Sequence, residues 1–351
     1  MKIGLLICGS LETISGGYYY DRRLVASLQE CGHQVQVFST PWRSYASALI
    51  GSCAYHLPPG LDLFIQDELA HPALLTANRV PHPCPLISLV HHLRSSETHP
   101  KWLNFCYRLV EQSYLRSLDG FIFNSMTTQK AVQALVGERG PSVLAYPPTD
   151  HFSPNFSRSA VAKRASQPGP LRILFLGNVI PRKGLQTLLF AISGLPAGLV
   201  CLEVVGSLAA DPGYARRAQA QAAGLSRRAA VTFHGILENG SLQEKLAQAH
   251  VLVVPSSYEG FGIVYLEGMA FGLPAIGTTA GAASEVITSA ENGYLVSPSD
   301  AVTLARHLMA LQIDRKLLAQ LSLHALESYT RWQPWRQSVA GINQFLSTMA
   351  G

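Results

Sequence analysis

The 351-residue sequence predicts an α/β protein built from two tandem parallel-sheet domains. Three observations predict it. Short apolar runs alternate with helically spaced apolar patterns along the chain. The alternation stops once, in a polar Pro/Ser/basic stretch, and then restarts. The length is about twice the ~150 residues of a typical domain. Hydrophobic residues make up 48% and charged residues only 14%, which leaves ample material for cores and excludes a disordered chain. The net charge of +5 is spread over both halves without a basic stripe, so no nucleic-acid partner is expected.

In chain order, Lys2–Cys8 reads as a buried strand rather than a signal peptide, because its apolar run is short and no cleavage site follows. Gly16-Gly17 reads as a loop, and Tyr19–Cys31 as a helix closed by Gly32. Further strands fall at Gln34–Phe38, Leu63–Gln66, Leu86–Val90 and Gly120–Phe123, with helical segments near 69–78, 101–118 and 127–136. These are right-handed βαβ units and make a first Rossmann-like domain over 1–152. Residues 153–169 read as a linker. A second Rossmann-like domain over 170–330 has strands at Arg172–Leu176, Cys201–Val205, Val231–His234 and Val251–Val254, with helices at 184–194, 214–223 and 241–248. Residues 331–351 read as a terminal helix that returns to the first domain, with Trp332 and Trp335 as packing anchors.

No apolar stretch is long enough to span a membrane. The six cysteines (Cys8, Cys31, Cys53, Cys84, Cys106 and Cys201) form no Cys-x-x-Cys pair, so buried, reduced thiols in a cytoplasmic protein are expected, and neither a disulfide framework nor a metal site.

The chemistry concentrates in Ser256–Pro274, SSYEGFGIVYLEGMAFGLP, just after the apolar strand VLVVP. Open α/β sheets bind ligands at this end of their strands. A helix is expected from Ile263 to Phe271, capped by Gly272 and stopped by Pro274. The free N–H groups of Gly262, Ile263 and Val264 at its start suit a phosphate. Glu267, one turn inside, suits a ribose diol, and Glu259, outside the helix, can reach the hydroxyls of a sugar.

On these residues the sequence resembles the retaining GT-B glycosyltransferases of group 1 (GT4). Glu259 and Glu267, with seven residues between them in E-G-F-G-x-x-x-x-E, match the family hallmark. Gly16-Gly17, Gly32-His33-Gln34-Val35, Gly177–Gly184 (GNVIPRKG), and Gly281–Val296 with Glu285 and Asn292-Gly293 fit further family segments, so the likeness extends over nearly the whole chain. The resemblance implies a GT-B architecture, with a cleft between an acceptor domain and a donor domain. It also implies transfer of a sugar, with retention, from a nucleotide diphosphate sugar, most often a UDP-sugar, to a hydroxyl acceptor in glycan biosynthesis. Glu259, His91 and Lys183 take the catalytic positions. Lys183 would neutralise the diphosphate, Gly17 would let the first-domain loop approach it, and Phe261, Gly262 and Ile263 would present backbone amides. The donor base would lie near Gly206 and near His234-Gly235. The family's usual arginine after the phosphate-loop glycine is Asn178 here, which leaves Arg182 as the second cation. His91 ends an apolar strand where the family often has a histidine, and suits a hydrogen bond to a sugar or a proton shuttle. Asp67 and Glu68 end another strand and could meet the acceptor.

No Asp-x-Asp motif stands out, so no metal or other cofactor is called for. The first loop lacks G-x-G-x-x-G, which argues against a dehydrogenase. An epimerase, a phosphorylase and a non-catalytic nucleotide-sugar-binding protein remain as alternatives. The acceptor stays open among glycan, glycolipid and small molecule. Trp42, Arg43, Tyr45, Arg94 and Trp102 leave a peripheral membrane contact open.

Overall fold

The computed structural model describes residues 1–51, 56–150, 152 and 156–351. They divide into two compact units, Met1–Pro148 with Pro334–Gly351, and Thr149–Gln333.

The first unit runs β1 (Lys2–Cys8), α1 (Gly16–Glu30), β2 (Gln34–Thr40), α2 (Tyr45–Ile50), β3 (Leu63–Asp67), α3 (His71–Leu74), β4 (Leu86–Val90), α4 (Lys101–Leu115), β5 (Gly120–Phe123), α5 (Met126–Val136) and β6 (Ser142–Leu144). Its six strands are all parallel, in the order β2-β1-β3-β4-β5-β6. β3 and β4 are buried along their whole length, as strands covered on both faces must be. Ser15 caps α1 by accepting from the Tyr18 N–H, so the helix starts at Gly16 and takes in the Gly16-Gly17 pair that the sequence reads as a loop. The helix expected over 69–78 is broken. Asp67 caps a 3-10 turn at Glu68–Ala70, α3 is four residues long, and a second 3-10 turn covers Ala77–Arg79.

The second unit runs α6 (Arg158–Ala165), β7 (Leu171–Leu176), α7 (Leu185–Ser193), β8 (Val200–Val205), α8 (Pro212–Ala223), β9 (Ala230–Gly235), α9 (Asn239–Gln248), β10 (Val251–Val253), α10 (Ile263–Ala270), β11 (Ala275–Thr278), β12 (Gly293–Val296), α11 (Ala301–Ile313) and α12 (Arg315–Arg331). Its sheet is again parallel, in the order β12-β11-β10-β7-β8-β9. The stretch read as a linker is corrected in part. Residues 153–155 lie outside the described residues, but Arg158–Ala165 is helical, with Val161 and Ala165 buried. Arg164 holds this helix down by donating to the carbonyls of Phe271 and Gly272, both at 2.8 Å. Ser157 caps it through the Ala160 N–H, a local signal that composition alone obscures.

The last helix, α13 (Trp335–Ala350), belongs to the first unit. Trp335 is buried, its Nε1 donates to Ser27 Oγ at 3.0 Å, and its ring meets the edge of Tyr20 with centroids 5.1 Å apart. Ile342 and Leu346 join the same core as Ile3, Leu24 and Ile87. Of the described cysteines, Cys8 and Cys84 are buried and Cys201 is half-buried, but Cys31 and Cys106 are exposed, against the expectation of buried thiols; Cys53 lies outside the described residues. All five are unpaired. Among the described residues no helix is long and apolar enough to cross a membrane.

Truncating Trp335 removes a large buried ring and orphans Ser27. Trp335→Ala should cost about 3–5 kcal/mol of stability. The change is read as a lower denaturant midpoint by far-ultraviolet circular dichroism, and an unchanged midpoint would refute this anchoring role.

Candidate functional site

The candidate residues fall into two groups, one in each unit. In the second unit they sit on the loops that follow the carboxyl ends of β7, β8, β9 and β10. These loops are tied in series: Gly177 N–H donates to Val205 O (2.9 Å), Val179 N–H to Ser207 O (3.0 Å) and Gly206 N–H to Gly235 O (2.8 Å). Glycine is required where they touch. A Cβ on Gly206 would lie 2.0 Å from Gly177 O, and one on Gly184 2.0 Å from Pro255 O, both at positive φ.

Lys183 ends the 3-10 turn Pro181–Lys183 between β7 and α7. Arg182 O accepts from Ser257 N–H at 2.8 Å, and Arg182 Nη1 donates to Tyr258 O at 3.0 Å. This clamp brings Lys183 Nζ to 2.6 Å from Glu259 Oε1, while Arg182 Nη1 stands 3.8 Å from Glu259 Oε2. Ser256 Oγ donates to the same Oε1 at 2.5 Å. Glu259 is 4% exposed. Burial alone would raise its carboxyl, but Lys183 and Arg182, with the bonds from Lys183 and Ser256, hold it below the ordinary carboxylate range. Lys183 is pushed down, because burial and the neighbouring Arg182 outweigh the attraction of Glu259. Lys183 also feels the charge of Glu267 on α10.

α10 begins at Ile263 with Gly262 as its N-cap at φ +88°. A Cβ there would strike the Tyr265 ring at 2.5 Å, and Tyr265 Oη is fixed by Val254 O at 2.8 Å. Phe261 is buried against Trp332, and Ile263, Val264 and Glu267 are half-buried. The helix ends at Ala270, with Gly272 at φ +65° just beyond.

Several of the singled-out residues have structural partners or placements of their own. His234 points its imidazole at Glu203 on β8, which also accepts from Lys245 at 2.9 Å. Its Nε2 is therefore committed to the sheet, and what remains beside Gly235 for a ligand is backbone. Asn292 is a tie, bonding the backbone of Thr288 and Val286 and the Ser328 hydroxyl. Gly17 is not a loop glycine but stands in the first turn of α1, where a Cβ would lie 3.7 Å from the His91 ring.

His91 heads the group in the first unit, just after β4. Asn124 Nδ2 and Thr128 Oγ1 donate to its carbonyl at 2.9 and 3.3 Å, and its N–H donates to Glu68 Oε2 at 3.2 Å. Its Nε2 lies 3.1 Å from Asp21 Oδ1, a contact that sequence reasoning missed because Asp21 is inside a helix with no motif around it. His92 turns instead to Glu97 Oε1 at 2.9 Å. Asp67 and Glu68 are both buried; Glu68 Oε2 also accepts the His92 N–H at 3.3 Å. Burial, with Asp21 beside it, pushes Asp67 up to about 7. Ligand atoms of Asp21, Asp67 and His91 lie within 4.8 Å of one another, the one group among the described residues with the spacing to hold a cation. A cavity of about 460 Å³ opens beside this group, lined by Glu68 and His92 together with Trp42, Arg43, Tyr45 and Arg94. Trp42 and Trp102 are exposed, whereas the Arg94 guanidinium lies over the Tyr107 ring at 5.1 Å.

Residues 157–327 match the sequence family described as glycosyl transferases group 1. The chain is 29% identical over 242 residues to a D-inositol 3-phosphate glycosyltransferase of Xylanimonas cellulosilytica, a match covering 66% of this chain and 57% of that protein. It is 27% identical over 276 residues to a GDP-mannose-dependent alpha-(1-6)-phosphatidylinositol monomannoside mannosyltransferase of Mycobacterium tuberculosis, covering 72% of this chain and 68% of that one. The chain spans only about half the length of the first relatives it matches, from 46% to 61%. Among solved structures, sucrose-phosphate synthase of Thermosynechococcus elongatus superposes with a TM-score of 0.82 at 22% identity, covering 99% of this chain and 98% of that one. Anabaena HepE in complex with UDP-glucose gives 0.73 at 21% identity, covering 99% and 100%. These likenesses show the GT-B fold.

The Glu259 pair makes a pH prediction. Its carboxyl is depressed in the folded state, so its contribution is present above the unfolded value of 4.5 and is lost as pH falls through the lower folded value. Glu259→Gln should cost about 1–3 kcal/mol at neutral pH. It should also flatten the acid limb of stability below pH 4.5, measured by urea melts across pH. An acid limb as steep as that of the wild type would refute the pairing.

Proposed function

We propose that the chain acts as a group 1 glycosyl transferase, moving a sugar from a nucleoside diphosphate sugar to a hydroxyl group with retention of configuration. The observation that carries this reading is the buried Lys183–Glu259 pair, with Arg182 against it, on loops that also present the N-terminus of α10. Two cations and a helix N-terminus suit a diphosphate. A buried carboxylate suits sugar hydroxyls, and Glu267, one turn into α10, suits a ribose diol.

Glu259 already accepts from Lys183 and Ser256 on one oxygen, so it is ill suited to attack an anomeric carbon. A retaining glycosidase instead holds two carboxyl groups about 5–5.5 Å apart, one of them free to attack. This supports a same-face displacement, in which the acceptor oxygen bonds to the anomeric carbon as the bond to the diphosphate breaks. The acceptor proton passes to the departing oxygen. Lys183, Arg182 and the amides of Gly262, Ile263 and Val264 stabilise the charge that builds there. No step in this scheme needs a metal. Asn178 is no obstacle, because Arg182 is already held against Glu259 and supplies the second positive charge.

The names of relatives carry two kinds of donor, GDP-mannose for the mycobacterial mannosyltransferase and UDP-glucose for the HepE complex. Calorimetric titration with UDP-glucose and GDP-mannose decides the base. Lys183→Ala and Glu267→Ala should each weaken binding of the preferred donor tenfold or more, about 1.4 kcal/mol. Arg182→Ala should weaken the nucleotide diphosphate and the full donor alike. Unchanged donor affinity in Lys183→Ala would sink the assignment. Release of nucleotide diphosphate only when an acceptor is present separates transfer from epimerisation and phosphorolysis.

A further inference from the structure

At the carboxyl edge of the first sheet, buried side chains from three elements converge: Asp21 on the second turn of α1, Asp67 at the end of β3, and His91 just after β4. Asp21 and His91 are 70 residues apart, so no local spacing in the sequence announces the group. One ligand atom from each residue lies within 4.8 Å of the other two. Each carboxylate has one oxygen engaged and one left over. Asp21 Oδ1 meets His91 Nε2 at 3.1 Å, and Asp67 Oδ1 accepts the Leu69 N–H at 2.9 Å. Asp21 Oδ2 and Asp67 Oδ2 are both buried without a hydrogen-bond partner. Both residues are fully buried, and neither forms an ion pair with a lysine or arginine among the described residues. A carboxylate oxygen left bare out of water is costly, and here two lie together, with the buried Glu68 next in the chain.

We propose that Asp21, Asp67 and His91 form a divalent-cation site, with one oxygen of each carboxylate and Nε2 of a neutral imidazole as the protein's ligands. Two carboxylates balance the two charges of the ion, so the buried group becomes neutral as a whole. An imidazole nitrogen favours Zn²⁺ and its neighbours, while carboxylates favour Mn²⁺, Mg²⁺ and Ca²⁺. The mixed set therefore suits Mn²⁺ or Zn²⁺ better than Mg²⁺ or Ca²⁺, which take oxygen ligands. Bonds of about 2.0–2.2 Å allow donor atoms up to about 4.4 Å apart. The spacing of the three thus needs at most a few tenths of an ångström of side-chain adjustment. His91 is held ready for this. Its N–H donates to Glu68 Oε2 and its carbonyl accepts from Asn124 and Thr128, which fixes where the ring stands. Three protein ligands leave a coordination position open. The cavity lined by Glu68 and His92 reaches the chain neighbours of two of the three ligands. The ion ties α1 to the ends of β3 and β4. It takes no step in the displacement proposed above, and the site is independent of that reading, whose charged groups lie in the second unit.

The test uses the full chain, freed of metal with a chelator and titrated with Mn²⁺, the free ion being counted by electron paramagnetic resonance. Mn²⁺ is the probe because the exposed thiols of Cys31 and Cys106 would take up Zn²⁺ on their own account. One Mn²⁺ per chain should bind and raise the thermal midpoint. It should also broaden the ring signals of His91 in the NMR spectrum, identified with His91→Gln. Asp21→Asn and Asp67→Asn should each weaken binding by at least about tenfold. Glu97→Gln should leave binding within about twofold of wild type. Glu97 stands 2.9 Å from His92 and 3.7 Å from His99, so this variant controls for the other histidine–carboxylate cluster of the unit. A dissociation constant above about 1 mM overturns the proposal. Binding lost in Glu97→Gln but kept in Asp67→Asn also overturns it, and puts the ion on His92, Glu97 and His99 instead. If the aspartate variants do not fold, the order of broadening in the wild type decides: His91 before His99 supports the site, and the reverse overturns it. A chain that binds Mn²⁺ as expected but moves no sugar refutes the transferase reading and leaves the cation site standing.

Discussion

The contact of Gly184 with the Pro255 carbonyl is the constraint on which the second unit's chemistry depends. β7 and β10 are neighbours in a parallel sheet, so the loops at their carboxyl ends leave on the same edge. With no Cβ at Gly184 the first loop settles directly on the second, and Arg182 then reaches the backbone on both sides of Ser257 and Tyr258. Lys183 Nζ meets Glu259 Oε1 at 2.6 Å. Both charges lie out of water, where each alone would be costly, and their pairing offsets that cost only because Ser256 completes the carboxylate's bonding.

Much of this was legible in the sequence, for physical reasons. β1, β4 and β5 fall where a buried parallel strand must be a continuous apolar run. Glu259, Gly262 and Glu267 are legible because a strand, a glycine loop and a helix start follow one another within a few residues, and local order fixes their placement. β6, β11 and β12, three or four residues each, were not read from the sequence. The helix α6 was hidden because its amphipathic face is narrow, with Val161 and Ala165 buried but Arg164 carrying its main tie.

What the sequence could not disclose is pairing across distance. Asp21 and His91 are separated by 70 residues and meet only because β1 lies between β2 and β3, which brings α1 over the end of β4. His234 shows the same limit in the other direction. Its place beside Gly235 suits a ligand, yet its partner is on the adjacent strand, and a one-dimensional reading has no access to cross-strand neighbours.

The two clusters are electrostatic opposites, and that contrast constrains what each can do. Around Glu259 two cations face one carboxylate, so a diphosphate can displace part of the internal pairing and leave every buried charge matched. Around His91 three buried carboxyl groups, Asp21, Asp67 and Glu68, face one imidazole, and burial pushes Asp67 and Glu68 above the ordinary carboxylate range. Neutralising Glu259 would release Lys183 and Arg182 towards an anion. Removing the His91 ring would instead leave buried Asp21 Oδ1 without its partner.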